Sequence, residues 1–290
     1  MMKFLVLGCN GMAGHLVSLY LKEKGHDVVG FARTENPNIK TIVGDVSDFE
    51  KLNLIISSGD YDVIVNCIGI LNQVAENNKA NAVLINSLLP HHLAEQTKNT
   101  KTKVVHMSTD CVFSGHTGPY TETSLPDATT FYGRSKSLGE IVDDKNITIR
   151  TSIIGPDLTE KGIGLFNWFM KQSGEINGFT KAIWTGITTY ELAKLIEVVS
   201  QDEKAVGLIN FVNNTSISKY DLLGTIAKVF GINIKINPNA DYDCDKTLLR
   251  TNMSVDYQIP SYETMIKEMK EWIEGHKELY PHYKEKLWKN

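Results

Sequence analysis

Cysteine is scarce in this chain. Its four cysteines in 290 residues, Cys9, Cys67, Cys111 and Cys244, are widely scattered and form no Cys-x-x-Cys pair. That distribution argues against a zinc site and a disulfide framework, and a reducing cytoplasm is the simplest compartment for it. Long apolar runs are missing too. The first, Phe4 to Leu7, stops at a glycine with no small-residue cleavage site after it, so neither a signal peptide nor a membrane partner is expected. Neither sign of charge dominates: 30 basic residues against 34 acidic ones leave a net charge of −4, which speaks against a general electrostatic grip on nucleic acid. No carboxylate cluster with clear ligand spacing stands out, and no metal ligand is assigned.

What remains is an ordinary globular composition, 42% hydrophobic and 22% charged, which excludes a disordered chain. At this length about three quarters of the unfolded surface can be buried, enough for a core without staples.

The stretch from Ser108 to Lys136 carries the candidate chemistry. Thr109 follows an apolar run, Val104 to Met107, and so sits where a buried strand would end, which is where open α/β sheets place reactive groups. Tyr132 and Lys136 are four apart and on a helix would share a face. A phenol beside a fixed positive charge has its anion favoured, and its pKa is expected to fall below the ordinary value of about 10. The spacing alone is cheap, and the rest of the chain has to support it.

That support begins at the N-terminus. Residues 3 to 7 read as a strand buried on both faces, and Gly8, Gly11 and Gly14 follow in the pattern Gly-x-x-Gly-x-x-Gly before a helix from about Met12 to Lys24. Such glycines let the backbone approach a pyrophosphate at a helix N-terminus, or simply make a tight turn. A second strand, Asp27 to Phe31, runs into Ala32 and Arg33. An arginine there accommodates a 2′-phosphate and favours NADP, whereas Glu35 close by leaves NAD open; a solvated loop charge is the bland alternative for Arg33. A third strand, Thr41 to Val43, leads to Asp45, which is read either as an acceptor for adenine or as a cap for the following helix. Tyr61 to Gly69 contains the next buried strand. Ala80 to Lys98 reads as a long helix interrupted at Pro90, with Asn86 as a core amide bonded to backbone. Lys103 to Met107 is the fifth strand. Ser114 to Thr130 reads as a partly mobile loop over a site, Tyr132 opens a helix running on through Leu138, Ile141 and Val142, and Ile147 to Arg150 is the sixth strand. Six strands, most of them separated by helices, predict an α/β fold: a Rossmann-type doubly wound parallel sheet.

Four motifs in this order, Gly-x-x-Gly-x-x-Gly, Val-Ile-Val-Asn-Cys at 63–67, Ser-Thr-Asp-x-Val-Phe-x-Gly at 108–115 and Tyr-x-x-x-Lys at 132–136, resemble the extended short-chain dehydrogenase/reductase superfamily. Within it the chain most resembles the dTDP-4-dehydrorhamnose reductase family, through Ile149 to Ser152, Gly186 to Thr189 and Ile217 to Leu222 as well. The resemblance implies reduction of the 4-keto group of a nucleotide-activated deoxysugar, in dTDP-L-rhamnose or surface polysaccharide synthesis. It implies that Thr109 hydrogen-bonds the substrate carbonyl, that Tyr132 donates the proton, and that Lys136 binds the nicotinamide ribose. Gly8, Asn10, Gly11 and Met12 would cradle the pyrophosphate, with Arg33 near the 2′-phosphate, Asp45 and Val46 at adenine, and Cys67, Ile68 and Gly69 along the riboses. Asp110, Cys111 and Trp184 are assigned to the sugar-nucleotide substrate.

Cys111 departs from the tyrosine common at that position in the family, which opens the question of which sugar is bound. No glutamate follows Asp110, which disfavours dehydration. Residues 1–152, with 187–216 returning to them, form the expected NAD(P)-binding part; 153–186 and 217–290 form the expected smaller, interleaved α/β substrate lobe. Its aromatics line a pocket or simply a core. Met265, Ile266, Met269, Trp272 and Ile273 form a helical stripe, and Lys284 to Lys289 reads as a solvated tail. A non-catalytic regulatory subunit, an epimerase and a homodimer remain alternatives of function and assembly.

Overall fold

The computed structural model describes residues 1–288. Its main sheet contains strands β1 (Lys3–Leu7), β2 (Asp27–Ala32), β3 (Lys40–Val43), β4 (Val63–Asn66), β5 (Lys103–Ser108) and β6 (Ile147–Arg150). The small strands β7 (Ile153–Ile154), β8 (Glu175–Phe179), β9 (Ala182–Trp184) and β10 (Ile187–Thr188) precede β11 (Gly207–Asn210), and β12 (Ile217–Ser218), β13 (Lys235–Asn239) and β14 (Cys244–Asp245) follow it. Strand β11 returns to the main sheet, beside β6. The resulting order, β11-β6-β5-β4-β1-β2-β3, is parallel throughout. The chain therefore crosses over from β1 to β2 on one side and to β4 on the other. The topological switch point falls there, at the carboxyl ends of β1 and β4.

The apolar run of β1 is divided between two cores by the period of a strand. Phe4 and Val6 face one hydrophobic cluster, Leu5 and Leu7 the other, and all four are fully buried. Val63 and Val65 of β4 join the first cluster and Ile64 the second. Burying such a side chain contributes about 1.5–3 kcal/mol, so the centre of the sheet has no solvent face to offer. Helices α1 (Met12–Glu23), α2 (Phe49–Gly59), α3 (Asn72–Asn77), α4 (Lys79–Ala82), α5 (Leu89–Thr97), α6 (Phe131–Leu138) and α7 (Leu165–Met170) precede α8 (Thr189–Gln201), α9 (Lys219–Phe230), α10 (Tyr262–Gly275) and α11 (Lys284–Leu287). Leu16 and Val17 of α1, Leu192 and Leu195 of α8 and Met265 and Ile266 of α10 fill the first cluster; Leu52 and Ile56 of α2 and Leu93 of α5 cover the other face.

Three elements differ from expectation. The helix expected over 80–98 is broken by a wide π-type turn at Val83–Leu88. Pro90 has no N–H for the Asn86 carbonyl four residues back, and Gly139 packs on that carbonyl, where a Cβ would come within 1.9 Å. Helix α6 ends at Leu138 instead of running through Ile141 and Val142, because Ile141 exchanges two hydrogen bonds with the Thr148 hydroxyl (2.9 and 2.8 Å). The tail is not uniformly solvated: Leu287 and Trp288 pack on the core, while Lys289 lies outside the described residues.

The loop 114–130 is anchored. Tyr120 is buried, stacks on Phe113 at 4.0 Å and donates its N–H to the Thr247 carbonyl (2.7 Å). Asp45 does not cap α2. Its carboxylate accepts from the Ser47 hydroxyl (2.7 Å) and N–H (2.9 Å), bonds that hold it below the usual carboxylate range, and Asp48 supplies the cap by accepting from the Lys51 N–H (3.0 Å). Asp48→Ala should therefore cost about 1 kcal/mol in thermal or urea denaturation. An equal loss from Asp45→Ala would contradict this division of roles.

Candidate active site

Two adjoining cavities run along the carboxyl edge of the sheet. The first, about 680 Å³, is lined by Gly8, Asn10 and Gly11 after β1, by Arg33 and Thr34 after β2, and by Asp45 and Val46 after β3. The second, about 550 Å³, is lined by Met12, Ser108, Thr109, Asp110, Cys111, Tyr132 and Lys136. Gly11, Cys67, Ile68 and Gly69 belong to both. One cleft thus gathers the residues that the sequence singled out for the site, with the exceptions of Trp184 and Glu35.

The floor of the first cavity depends on close backbone packing. Gly8 has φ +81°, a left-handed conformation, and a Cβ on Gly14 would sit 2.1 Å from the Gly8 carbonyl oxygen. Helix α1 docks on the turn only because that atom is missing. Its N-cap, Gly11, supplies no side-chain cap, so the first N–H groups of the helix, at the cleft-lining Met12 and Ala13, are left without a side-chain acceptor, as an anion cradle requires. Asn10 joins this turn to the next one, donating to the Thr34 carbonyl (2.9 Å) and accepting from Asn36 (3.0 Å). Thr34 and Asn36 carried no recognisable signal in the sequence.

In the second cavity β5 ends at Ser108 and delivers Thr109, whose hydroxyl accepts from the Cys111 N–H and donates to Asp110, both at 3.1 Å. Lys136 is buried and donates to the Met107 carbonyl at 2.6 Å, with His106 Nε2 at 3.4 Å. Burial pulls this ammonium down to about 8, against Glu140 and Cys67, which push it up.

The phenol departs from expectation. Burial raises the pKa of Tyr132 above its ordinary value, with Cys111 adding to the rise and a hydrogen bond to Thr109 opposing it. The expected lowering by Lys136 does not occur here, because the ammonium spends its hydrogen bonds on β5 and not on the phenol. The phenol stays protonated at neutral pH, the form a proton donor requires. Burial likewise raises Asp110, with Lys246 opposing it.

Trp184 does not line either cavity. It is 5% exposed and donates its indole N–H to the Ser152 hydroxyl (2.8 Å); a buried indole needs such an acceptor, and Ser152 is the residue that reaches the cleft. Thr151 and Ser152, part of the resemblance at 149–152, line the second cavity together with Asp157, although none of the three was assigned a site role. Their signal was available, since they follow the end of β6 as Thr109 follows the end of β5. Asp157 is pushed up by burial, and its N–H donates to the Tyr283 hydroxyl (3.0 Å).

A family model described as the RmlD substrate binding domain matches residues 2–285. The chain belongs to this family. Among relatives of this RmlD-type chain, the probable low-salt glycan biosynthesis reductase of Haloferax volcanii is 34% identical over 139 residues, 47% of this chain and 46% of that one. The methionine adenosyltransferase 2 subunit beta of Xenopus tropicalis is 23% identical over 79% of this chain and 72% of its own. The chain spans about half the length of curated relatives such as the Haloferax protein. A crystal structure of dTDP-4-dehydrorhamnose reductase from Bacillus anthracis in complex with NADP superposes with a TM-score of 0.79 over 93% of this chain and 99% of its own. At 20% identity that likeness shows the fold.

Burial, with the carboxylate of Asp110 adding, pushes the Cys111 thiol up to about 12. The thiolate is the reactive form, so at pH 8 alkylation of Cys111 should be about a thousandfold slower than that of an ordinary exposed thiol and should accelerate with rising pH. Peptide mass spectrometry after iodoacetamide treatment measures this. Rapid labelling at pH 8 would show the thiol to be ionised.

Proposed function

We propose that this protein is an NAD(P)H-dependent reductase acting on the 4-keto group of a nucleotide-activated deoxysugar, similar to dTDP-4-dehydrorhamnose reductase, in rhamnose or surface polysaccharide synthesis in the cytoplasm. The observation that carries the reading is the continuity of one cleft, with an anion cradle at one end and Thr109, Tyr132 and Lys136 at the other. A dinucleotide fits the first cavity by its chemistry. The uncapped N-terminus of α1 suits a pyrophosphate, and the exposed Arg33 beside Thr34 and Asp45 suits a 2′-phosphate, which favours NADP over NAD. Glu35 does not line that cavity.

The cofactor, when bound, supplies hydride to the keto carbon. The chain's own residues manage the charge left on oxygen. Thr109 donates a hydrogen bond to that oxygen and Tyr132 gives it a proton; both interactions strengthen as negative charge develops, and so favour the transition state over the ground state. With a dinucleotide bound, Lys136 would hold a ribose hydroxyl, and its charge would then favour the phenolate left behind. Residues 1–152 with 187–216 would carry the dinucleotide and the remaining segments the sugar nucleotide. Cys111, smaller than the tyrosine common in the family, leaves room beside the sugar.

A second reading, a non-catalytic regulatory subunit, draws on the similarity to the methionine adenosyltransferase subunit, and the intact Thr109, Tyr132 and Lys136 set opposes it. The test is NADPH oxidation with dTDP-4-keto-6-deoxy-L-mannose and with UDP-linked 4-keto sugars. Tyr132→Phe should lower kcat by about 10²–10⁴-fold, the scale of a lost proton donor. Arg33→Ala should raise KM for NADPH and leave that for NADH in place. Equal turnover by wild type and Tyr132→Phe would remove the assigned donor. No turnover of any keto sugar, together with a stable complex with a synthetase, would move the protein to the regulatory class.

A further inference from the structure

A buried ammonium needs a countercharge, and the hydrogen-bond partners of Lys136 supply none. The Met107 carbonyl is neutral, and His106 is kept neutral by burial and by the ammonium itself. The other titratable groups facing Lys136 are the Cys67 thiol beyond β4, pushed up to about 12 by burial, the protonated phenol of Tyr132 one helical turn back, and Glu140 one turn on. Asp110 lines the same cavity, but Glu140 is the carboxylate whose charge pushes Lys136 up. It does not bond to Lys136 directly.

The seat of Glu140 is tightly built. Its Oε1 accepts from the Ser108 hydroxyl (2.6 Å) and from Arg150 Nε (2.9 Å), and its Oε2 accepts from Arg150 Nη2 (2.7 Å). The side chains of Glu140 and Arg150 are 7% and 1% exposed. Arg150 lies 5.0 Å over the Phe113 ring, and its Nη1 is buried without a partner. The chain reaches this seat because α6 ends at Leu138 and is followed by Gly139, whose missing Cβ admits the Asn86 carbonyl. The carboxylate therefore sits between the strand end that presents Thr109 and the helix that presents Tyr132 and Lys136.

We infer that Glu140 is a positioning residue for the reduction: a buried carboxylate, clamped by Arg150 and Ser108, that holds the positive charge on Lys136. The inference rests on the proposed catalytic role of Lys136, but the placement of charge is a property of the protein without cofactor. The neutral amine could not stabilise a phenolate, so activity that depends on the ammonium falls as the pH rises through its pKa of about 8. Removing Glu140 moves that fall to lower pH.

The experiment is a direct titration of Lys136 in the cofactor-free protein, by NMR of lysine labelled at Cε and Nζ, with Lys136→Arg to assign the signal. In Glu140→Gln the midpoint should drop by about one pH unit, a tenfold weaker hold on the proton, whereas Glu140→Asp should restore most of it. The basic limb of the kcat/KM profile should move by the same amount. An unmoved midpoint in Glu140→Gln overturns the inference and leaves the ion pair a structural one. If that variant fails to fold because Arg150 is left unpaired, Glu140→Gln with Arg150→Met removes both buried charges. Of the two charges it is the carboxylate that pushes Lys136 up, so the midpoint should still fall, and an unmoved or raised midpoint again overturns the inference. Failure of keto-sugar reduction with a normal Lys136 titration would instead count against the proposed function alone.

Discussion

The bond from the Lys136 ammonium to the Met107 carbonyl ties helix α6 to the end of strand β5, and the rest of the site depends on that tie. Thr109 leaves the strand two residues after Met107, and Tyr132 sits one helical turn before Lys136, so a single 2.6 Å contact sets hydroxyl and phenol against the same cavity. The cost is the desolvation of a cation. The fold offsets it with the neutral Met107 carbonyl and, further back, with the buried carboxylate of Glu140. Arg150 in turn keeps that carboxylate from being an unpaired buried charge.

A second constraint governs the cofactor end. Parallel strands buried on both faces can expose chemistry only at their ends, and the close approach of α1 to Gly8 brings helix N–H groups to that edge. The last described turns brace this arrangement from behind. His15 of α1 shares hydrogen bonds with the Gly11 carbonyl (3.0 Å) and the Tyr280 hydroxyl (2.9 Å). Tyr283 accepts from the Asp157 N–H and donates to Asn167 (2.9 Å). The glycine turn and the Asp157 loop, which face each other across the cleft, thus lean on one aromatic segment. Stripped of Tyr280 and Tyr283, both would keep their sequence motifs and lose their support.

Much of the fold was legible in advance because its signals are local. Apolar runs marked β1, β4 and β5, the first two followed closely by glycine, and the order of strand, glycine turn and helix located the edge of the cleft before any contact was known. The cleft residues were legible for the same reason, since a strand end in a doubly wound sheet faces the cleft whatever lies around it. Trp184 was misplaced because an aromatic in a mixed segment has no period to say which way it faces; its indole N–H found Ser152 and turned inward. The loop at 114–130 looked mobile from its Gly, Pro, Ser and Thr content, but Tyr120 holds it down through contacts to Asn210, Thr247 and Leu249, 90 or more positions away.

By itself, the sequence determined the strand order's raw material, the glycine turn and the identity of the hydroxyl, phenol and ammonium, because backbone propensity and residue chemistry act over a few positions. Only the tertiary structure decided the protonation of those groups. The phenol of Tyr132 is raised and the ammonium of Lys136 lowered because desolvation and charge depend on everything packed around a side chain, including Glu140 and Arg150, whose pairing no local pattern records.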